Sequence, residues 1–372
     1  EHFRGILVHE PGDHEALEAL EAIFLSRDSL EDLEFVWRSR ADHFDDATVV
    51  RQSLQSLGQL YEEVLLDVER AASTYSELLD IDADDWEALV ALDRILTLSG
   101  NHRMLADALE AVLPRMTASE RRDTRYCQLA QLYLEPLNEP ALAAEHLFAL
   151  VETESAQYSQ AVSLLEEMVS HRQALGTVSR ALELVYRRAE SIAARATMLE
   201  LRLETVVTAD EKLAIADELA VLYEGTLEQP DRTFWALSVR FGVDSTDVHT
   251  WHELSRVAEL ISAHAELATL WRGALHESSE SRPRDLESVN ALRVELAALV
   301  HSQLGQEDEA IELYEAVISE TGELSRFGAV LEELEAIYGE REDVEAIVRT
   351  CLTACRGVLV GQDRVEKMLY AC

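Results

Sequence analysis

Apolar residues recur at helical spacing along almost the entire chain. In the segment opened by His14, the positions Leu17, Leu20, Ile23 and Phe24 lie three or four apart, which places them on one face of a helix. Comparable stripes follow one another to the end of the sequence. No run of four to eight β-branched or aromatic residues is bounded by turn signals, so no strand is predicted. Ser99-Gly100, Gly225 and Gly305 fall where a stripe stops, as expected of helix ends. The pattern predicts an all-α chain of roughly twenty helices.

The stripes are not independent. His14-Glu-Ala-Leu-Glu-Ala-Leu-Glu-Ala-Ile returns as Trp86-Glu-Ala-Leu-Val-Ala-Leu-Asp-Arg-Ile, and weaker copies start at Tyr158, Trp251 and Phe327, at intervals of 72, 72, 93 and 76 residues. Between them lies a second segment: Leu57-Gly-Gln-Leu-Tyr61, Leu129-Ala-Gln-Leu-Tyr133, Leu219-Ala-Val-Leu-Tyr223 and, more loosely, Leu296-Ala-Ala-Leu-Val300. Each segment opens a helical hairpin, and two hairpins in alternation make a super-repeat of about four helices.

These residues resemble the tetratricopeptide repeat, a unit of about 34 residues built as two helices. Leu57, Gly58 and Tyr61 match its first helix; Ala71 or Ala72, Tyr75 and Leu78 match its second. In the unit from Trp86, the packing positions fall on Leu92, Leu96, Gly100, Leu105, Leu109 and Val112, and Glu309 to Val317 is the best second helix. The copies are degenerate. The resemblance implies one right-handed α-solenoid of about ten antiparallel helix pairs over 1–372, each pair burying its stripe against the next. The interval from Tyr158 to Trp251 is 21 residues longer than the first two, which predicts a lengthened hairpin or an extra helix near 186–208. Glu277 to Asp285 predicts a long turn. Phe3, Ile6 and Pro11 match the close of a second helix with no first helix before it, and Asp363 to Cys372 opens a helix without a partner. A longer parent chain is therefore expected.

Composition supports a large core, with 48% apolar residues and only 14 glycines and 6 prolines. Charge narrows the partners. Against 72 Asp and Glu stand 32 Lys and Arg, a net charge of −40. Such a surface repels phosphate and anionic lipid, which excludes nucleic acid as an expected partner. It fits a basic protein or peptide partner, or else solubility in a saline habitat; only Lys212 and Lys367 are lysines. No apolar run is long enough to cross a membrane, so direct insertion is not expected. No signal peptide opens the sequence. A cytoplasmic location is the default reading, with a periplasmic or envelope location left open by the expected missing start.

Reactive chemistry finds little support. Cys127, Cys351, Cys355 and Cys372 form no metal-binding or disulfide pattern. Asp80, Asp82 and Asp84 imitate the start of a calcium loop, but Asp85 and Ala91 stand where that loop needs Gly and Glu, so helix capping is expected. His9, Glu10 and His14 miss the HExxH spacing and are interrupted by Pro11-Gly12. His249 and His252 lack a third ligand. No phosphate loop, dinucleotide fingerprint or nucleophile elbow occurs. The five tryptophans, Trp37, Trp86, Trp235, Trp251 and Trp271, fall mostly at packing positions; one exposed in a groove would be a contact candidate. No catalytic residue, metal or cofactor is predicted.

The resemblance implies a concave surface lined by the first helix of each pair. Its groove positions here are Glu15, Glu18, Gln52, Gln55, Gln59, Glu62, Glu87, Arg94, Gln131, Glu166, Asp217 and Glu224. The expected function is a non-catalytic scaffold that binds a partner protein or peptide on this acidic face. Two alternatives are the regulatory arm of a multidomain signalling enzyme and a structural part of a cell-envelope assembly.

Overall fold

In a computed structural model, the protein is described for residues 2–27, 29–281, 286–320 and 328–357. Twenty α-helices and no strand occur among them. The chain divides into two compact units, Glu1–Arg202 and Leu203–Cys372. In the first lie α1 (His2–His9), α2 (His14–Arg27), α3 (Leu30–His43), α4 (Ala47–Gln59), α5 (Val68–Ile81), α6 (Trp86–Leu98), α7 (His102–Val112), α8 (Ser119–Leu134), α9 (Pro140–Glu152), α10 (Tyr158–Ser170) and α11 (Leu175–Arg188). A π turn, Leu60–Val64, continues α4. The unit boundary falls inside α12 (Ile192–Thr205). The second unit holds α13 (Ala209–Gly225), α14 (Pro230–Val243), α15 (Val248–Ile261), α16 (His264–Ser281), α17 (Leu286–Ser302), α18 (Glu307–Glu320), α19 (Gly328–Glu340) and α20 (Val344–Gly357).

From α2 to α11 and again from α13 to α20, successive helices pack as hairpins. Their turns come in two kinds, which explains why the sequence repeats over two hairpins rather than one. After α4, α8, α13 and α17 the closing bond spans six residues: the N–H groups of Asp67, Glu139, Gln229 and Gln306 donate to the carbonyls of Tyr61, Tyr133, Tyr223 and Val300. After α6, α10, α15 and α19 it spans five: Asn101, Gln173, Ala263 and Asp343 donate to Leu96, Met168, Ala258 and Tyr338. The shorter closure is the usual left-handed helix stop. In both kinds the residue just before the donor is left-handed: Leu66, Asn138, Glu228 and Gly305 in one, Gly100, Arg172, Ser262 and Glu342 in the other. Aspartates open the helices. Asp13, Asp46, Asp67, Asp85, Asp247 and Asp343 each accept a backbone N–H in the first turn that follows, satisfying donors that the helix cannot. Part of the chain's acidity is spent here.

The expected packing positions are buried except Gly100, which is exposed in the left-handed turn after α6. Leu57, Tyr61, Ala71, Ala72, Tyr75 and Leu78 join Leu92, Leu96, Leu105, Leu109 and Val112 in one core that runs on to Met198. In the second unit, Trp251, Trp271, Leu296, Tyr314 and Leu334 belong to a core of their own. Side-chain bonds reach regularly to the next hairpin. Arg38–Glu77, Arg94–Glu62, Arg125–Asp93, Arg256–Glu224 and Arg272–Glu309 join residues 32 to 39 apart, the length of one tetratricopeptide-like unit. This periodic bonding is the signature of stacked, nearest-neighbour repeats.

The 21 surplus residues resolve into a single additional helix, α12, rather than a lengthened hairpin. Its Met198 packs into the first unit's core. Its Arg195 approaches Glu183 of α11 at 3.2 Å and its Arg202 at 3.4 Å, and Arg187 pairs with the same carboxylate. Glu183 is buried, and a buried carboxylate stripped of its cations costs several kcal/mol, so removing these arginines is strongly unfavourable. Over 277–281 the expected turn is helix instead, since α16 continues through Ser281; residues 282–285 lie outside the described residues, as does the helix expected from Asp363.

Candidate partner-binding face

The first-helix face of the first unit is built by α2, α4, α6, α8 and α10. On α4, Leu54 and Leu57 are buried, which turns Gln52, Gln55 and Gln59 outward. Two shallow hollows share Gln55 and Gln59. One, of about 370 Å3, adds Glu21, Trp37, Arg40 and Gln52. The other, of about 180 Å3, adds Glu62, Glu63, Tyr75, Asp85, Glu87 and Arg94. The π turn sets Glu62 and Glu63 side by side at the end of α4, a local widening often found at functional sites.

This α4–α6 region is bonded within itself. Glu62 accepts from the Tyr75 hydroxyl at 2.9 Å and from Arg94 at 2.6 Å. Gln55 donates to Glu87 at 2.9 Å, and Arg51 pairs with Asp85 at 2.8 Å. Burial, then the bond to Glu62, pushes the Tyr75 phenol far above its ordinary pKa. The ring reaches Glu62 because Gly58 leaves room for it: a Cβ at 58 would stand 2.6 Å from Tyr75 Cε1.

The α6–α8–α10 region differs. Here a groove of about 620 Å3 is lined by Thr97, Gln128, Gln131, Leu132, Leu134, Glu135, Pro136, Leu164, Glu167, Met168, His171 and Gln173. At its upper end Asp93 binds both Arg125, at 2.7 Å, and Gln128, at 2.7 Å. Beyond them Trp86, 43% exposed, is flanked by the guanidinium groups of Arg121 and Arg125 at 5.2 and 5.0 Å. The other four tryptophans are buried or half-buried. Among the described residues, the side chains of Gln131, Glu135, Glu167 and Gln173 make no hydrogen bond or ion pair.

Of the twelve groove positions expected from the sequence, Gln52, Gln55, Gln59, Glu62, Glu87 and Arg94 come together on α4–α6, and Gln131 lines the larger groove. Glu15 and Glu18 are exposed on α2, with His14 3.5 Å from Glu18. Glu166 is held by the Tyr186 hydroxyl. In the second unit Asp217 pairs with Arg240 at 2.7 Å, and Glu224 with Arg256 at 2.6 Å. Glu224 also lines a hollow of about 370 Å3 with Pro230, Val257 and Leu260. The sequence reading missed half-buried Leu132 and Leu164, because leucine at helical spacing reads as core; Met168, which backs the groove, is core.

The aspartate run acts as capping and pairing groups. Asp80 binds Arg115 at 2.9 Å, Asp82 accepts from the Asp84 amide, and Asp85 caps α6. Asp84 takes the Thr117 hydroxyl and the Thr117 and Ala118 amides, which hold its carboxyl below the usual range, the hydroxyl most strongly. His249 and His252 are exposed at the start of α15. Burial pushes the Cys127 thiol up to about 11, so it is an inert packing group. The side chains of Cys351, Cys355 and Cys372 lie outside the described residues.

A scan of protein-family models and a search of curated proteins find no match for this chain. Solved structures do overlay on it, at low similarity. The human IFIT1 dimer with m7Gppp-AAAA is 13% identical, with 98% of this chain and 87% of that one covered and a TM-score of 0.31. The Naa15/Naa10 complex bound to HypK-THB is 14% identical, with 99% and 64% covered and a TM-score of 0.28. The P58(IPK) TPR domain is 12% identical, with 96% of each chain covered and a TM-score of 0.26. At such scores the overlays place no site on this molecule, and its tetratricopeptide-like repeat rests on its own turns and its own hairpin-to-hairpin bonds.

Proposed function

We propose that this chain is a non-catalytic scaffold that binds a segment of a partner protein on the first-helix face of its first unit. The observation that carries this reading is the groove across α6, α8 and α10, where apolar side chains and unbonded amide and carboxylate groups meet. Mixed clefts of this kind suit extended peptides, because apolar contacts supply affinity and the few polar groups set orientation. Among the described residues no cluster of His, Cys, Asp and Glu could hold a metal ion, and no helix is long and apolar enough to cross a membrane. The low density of positive charge supports a protein partner over nucleic acid.

The test is selection of binders from a random linear peptide library, followed by placing an arginine on each of two faces. Gln131→Arg lies on the first-helix face, and Glu145→Arg is exposed on the second-helix face of α9. Loss of binding with Gln131→Arg alone is expected. Equal loss with Glu145→Arg, or no enriched peptide at all, would overturn the reading.

A further inference from the structure

We infer that the groove between α6, α8 and α10 takes an internal, extended stretch of its partner in which an apolar side chain is flanked by lysine or arginine. This deepens the scaffold reading and rests on it.

The groove's floor and rim call for different groups. Half-buried Leu132 and Leu164 offer an apolar bed backed by buried Met168, within about 620 Å3, room for more than one side chain. Burying a leucine-sized group there is worth about tenfold to a hundredfold in affinity. Glu135 and Glu167 are exposed at the rim and unbonded among the described residues. The adjoining α4–α6 region is the internal control. There Glu62 already has Arg94 and Tyr75, and Glu87 already has Gln55. The larger groove has not satisfied its own charges, and a cation from outside is the complement. Gln131 and Gln173 present a donor and an acceptor each, the pair that a peptide bond needs.

The same lining decides against other occupants. It contains no lysine or arginine and a single histidine, His171. A chain-terminal carboxylate would meet only like charge beside Glu135 and Glu167, so the bound stretch is internal. A second copy of this chain brings another net charge of −40, which opposes self-association.

The experiment is fluorescence anisotropy on the full 372-residue chain with three end-blocked peptides. The first alternates Lys or Arg with Leu, the second replaces each basic residue by Glu, and the third replaces each Leu by Gly. Only the first is expected to bind, with the others weaker by about tenfold or more. Glu135→Gln/Glu167→Gln is expected to weaken it by about tenfold, and Glu62→Gln/Glu87→Gln by less than about twofold. Glu87, Glu135 and Glu167 are exposed and the Glu62 side chain is 14% exposed, and unchanged melting by circular dichroism checks the fold. Unblocking the carboxyl end next to the last leucine is expected to weaken binding further. Equal binding of the glutamate or glycine peptide overturns the inference, the latter because it reduces the effect to bulk attraction. Sensitivity to Glu62/Glu87 in place of Glu135/Glu167 also overturns it, while leaving the first-helix face as the binding surface. Failure of the basic peptide, with library binders still lost in Gln131→Arg, overturns this chemistry and spares the scaffold.

Discussion

The α4/α5 and α8/α9 hairpins fill the same step of the repeat with different pairs of residues, and the face above them differs accordingly. In α4/α5 a glycine, Gly58, faces Tyr75; 72 positions on, Ala130 and Leu147 stand at the matching places, both buried in the same core. Small with large, then medium with medium, keeps the step filled. The phenol, however, has an end that leucine lacks. It reaches the surface, captures Glu62, and with Arg94 closes that region into a bonded, polar floor. Above Leu147 nothing rises to do the same, and the groove over α8 stays open and partly apolar. The core exchange, together with Leu134 standing at the place that matches Glu62, accompanies the change in the face above it.

The comparison can be broken at several points. The largest effect is expected from Tyr75→Ala, which empties a site 4% exposed; such truncations cost about 3–5 kcal/mol, read as a fall in the urea midpoint of the first unit. Gly58→Ala comes next. Its Cβ would meet the Tyr75 ring, and overpacking of this sort costs about 1–3 kcal/mol. Adding Tyr75→Leu recreates the Ala130/Leu147 pair and is expected to restore most of the loss; a double mutant no better than Gly58→Ala would refute the paired-volume argument. The second unit sharpens the point. Ala297 and Tyr314 occupy the equivalent step, and among the described residues the Tyr314 hydroxyl has no carboxylate bond. A ring free to shift tolerates alanine, so Gly58→Ala/Tyr75→Phe is expected to be milder than Gly58→Ala.

A pH titration probes the tyrosine steps together. Tyr186, bonded to Glu166, and Tyr338, bonded to Glu315, are pushed up to about 12, first by burial and then by those bonds. A phenol raised in the folded state lends full stability below its ordinary value of about 10 and withdraws it as pH climbs toward the folded value. Tyrosinate absorbance is expected to lag below pH 11 or so and then rise together with helix loss. Ionisation near 10 with helicity intact would refute the buried tyrosine–glutamate bonds. The smallest effect belongs to Arg94→Ala. Its side chain is 55% exposed, and exposed pairs are worth about 0–1 kcal/mol, so a shift of the midpoint beyond that range would show the Glu62 cluster to be structural.

Helix type, the alternation of two hairpins and the acidic caps were legible in the sequence, because each depends on residues within a few positions of one another. Asp85 capping α6 and Gly100 ending it are local matters. What was not legible depends on a neighbour one hairpin away. Glu62, Glu87, Asp217 and Glu224 read as free groove acids, yet each has a partner. For Glu62, Glu87 and Glu224 that partner lies 32 residues off. Periodicity gives the face of a side chain but not the length of what stands opposite. The spare residues near 186–208 had the composition of a helix, but their apolar period alone could not separate one new helix from two longer ones. Leu164 shares a face by spacing with buried Ala161, Leu165 and Met168, and only the packed coordinates show that it is the one that meets solvent.

The two kinds of hairpin closure have a consequence for how such a chain can grow or shrink. A hairpin ending in the six-residue closure is followed by one ending in the five-residue closure, so removing one hairpin sets two like closures next to each other. Removing both leaves every neighbour of the kind it had before. Joining Leu57 directly to Ala130, an excision of residues 58–129, puts the α8 copy of the motif where the α4 copy stood. Away from α12, where one helix is added after two successive five-residue closures, the module that preserves every neighbour is therefore four helices.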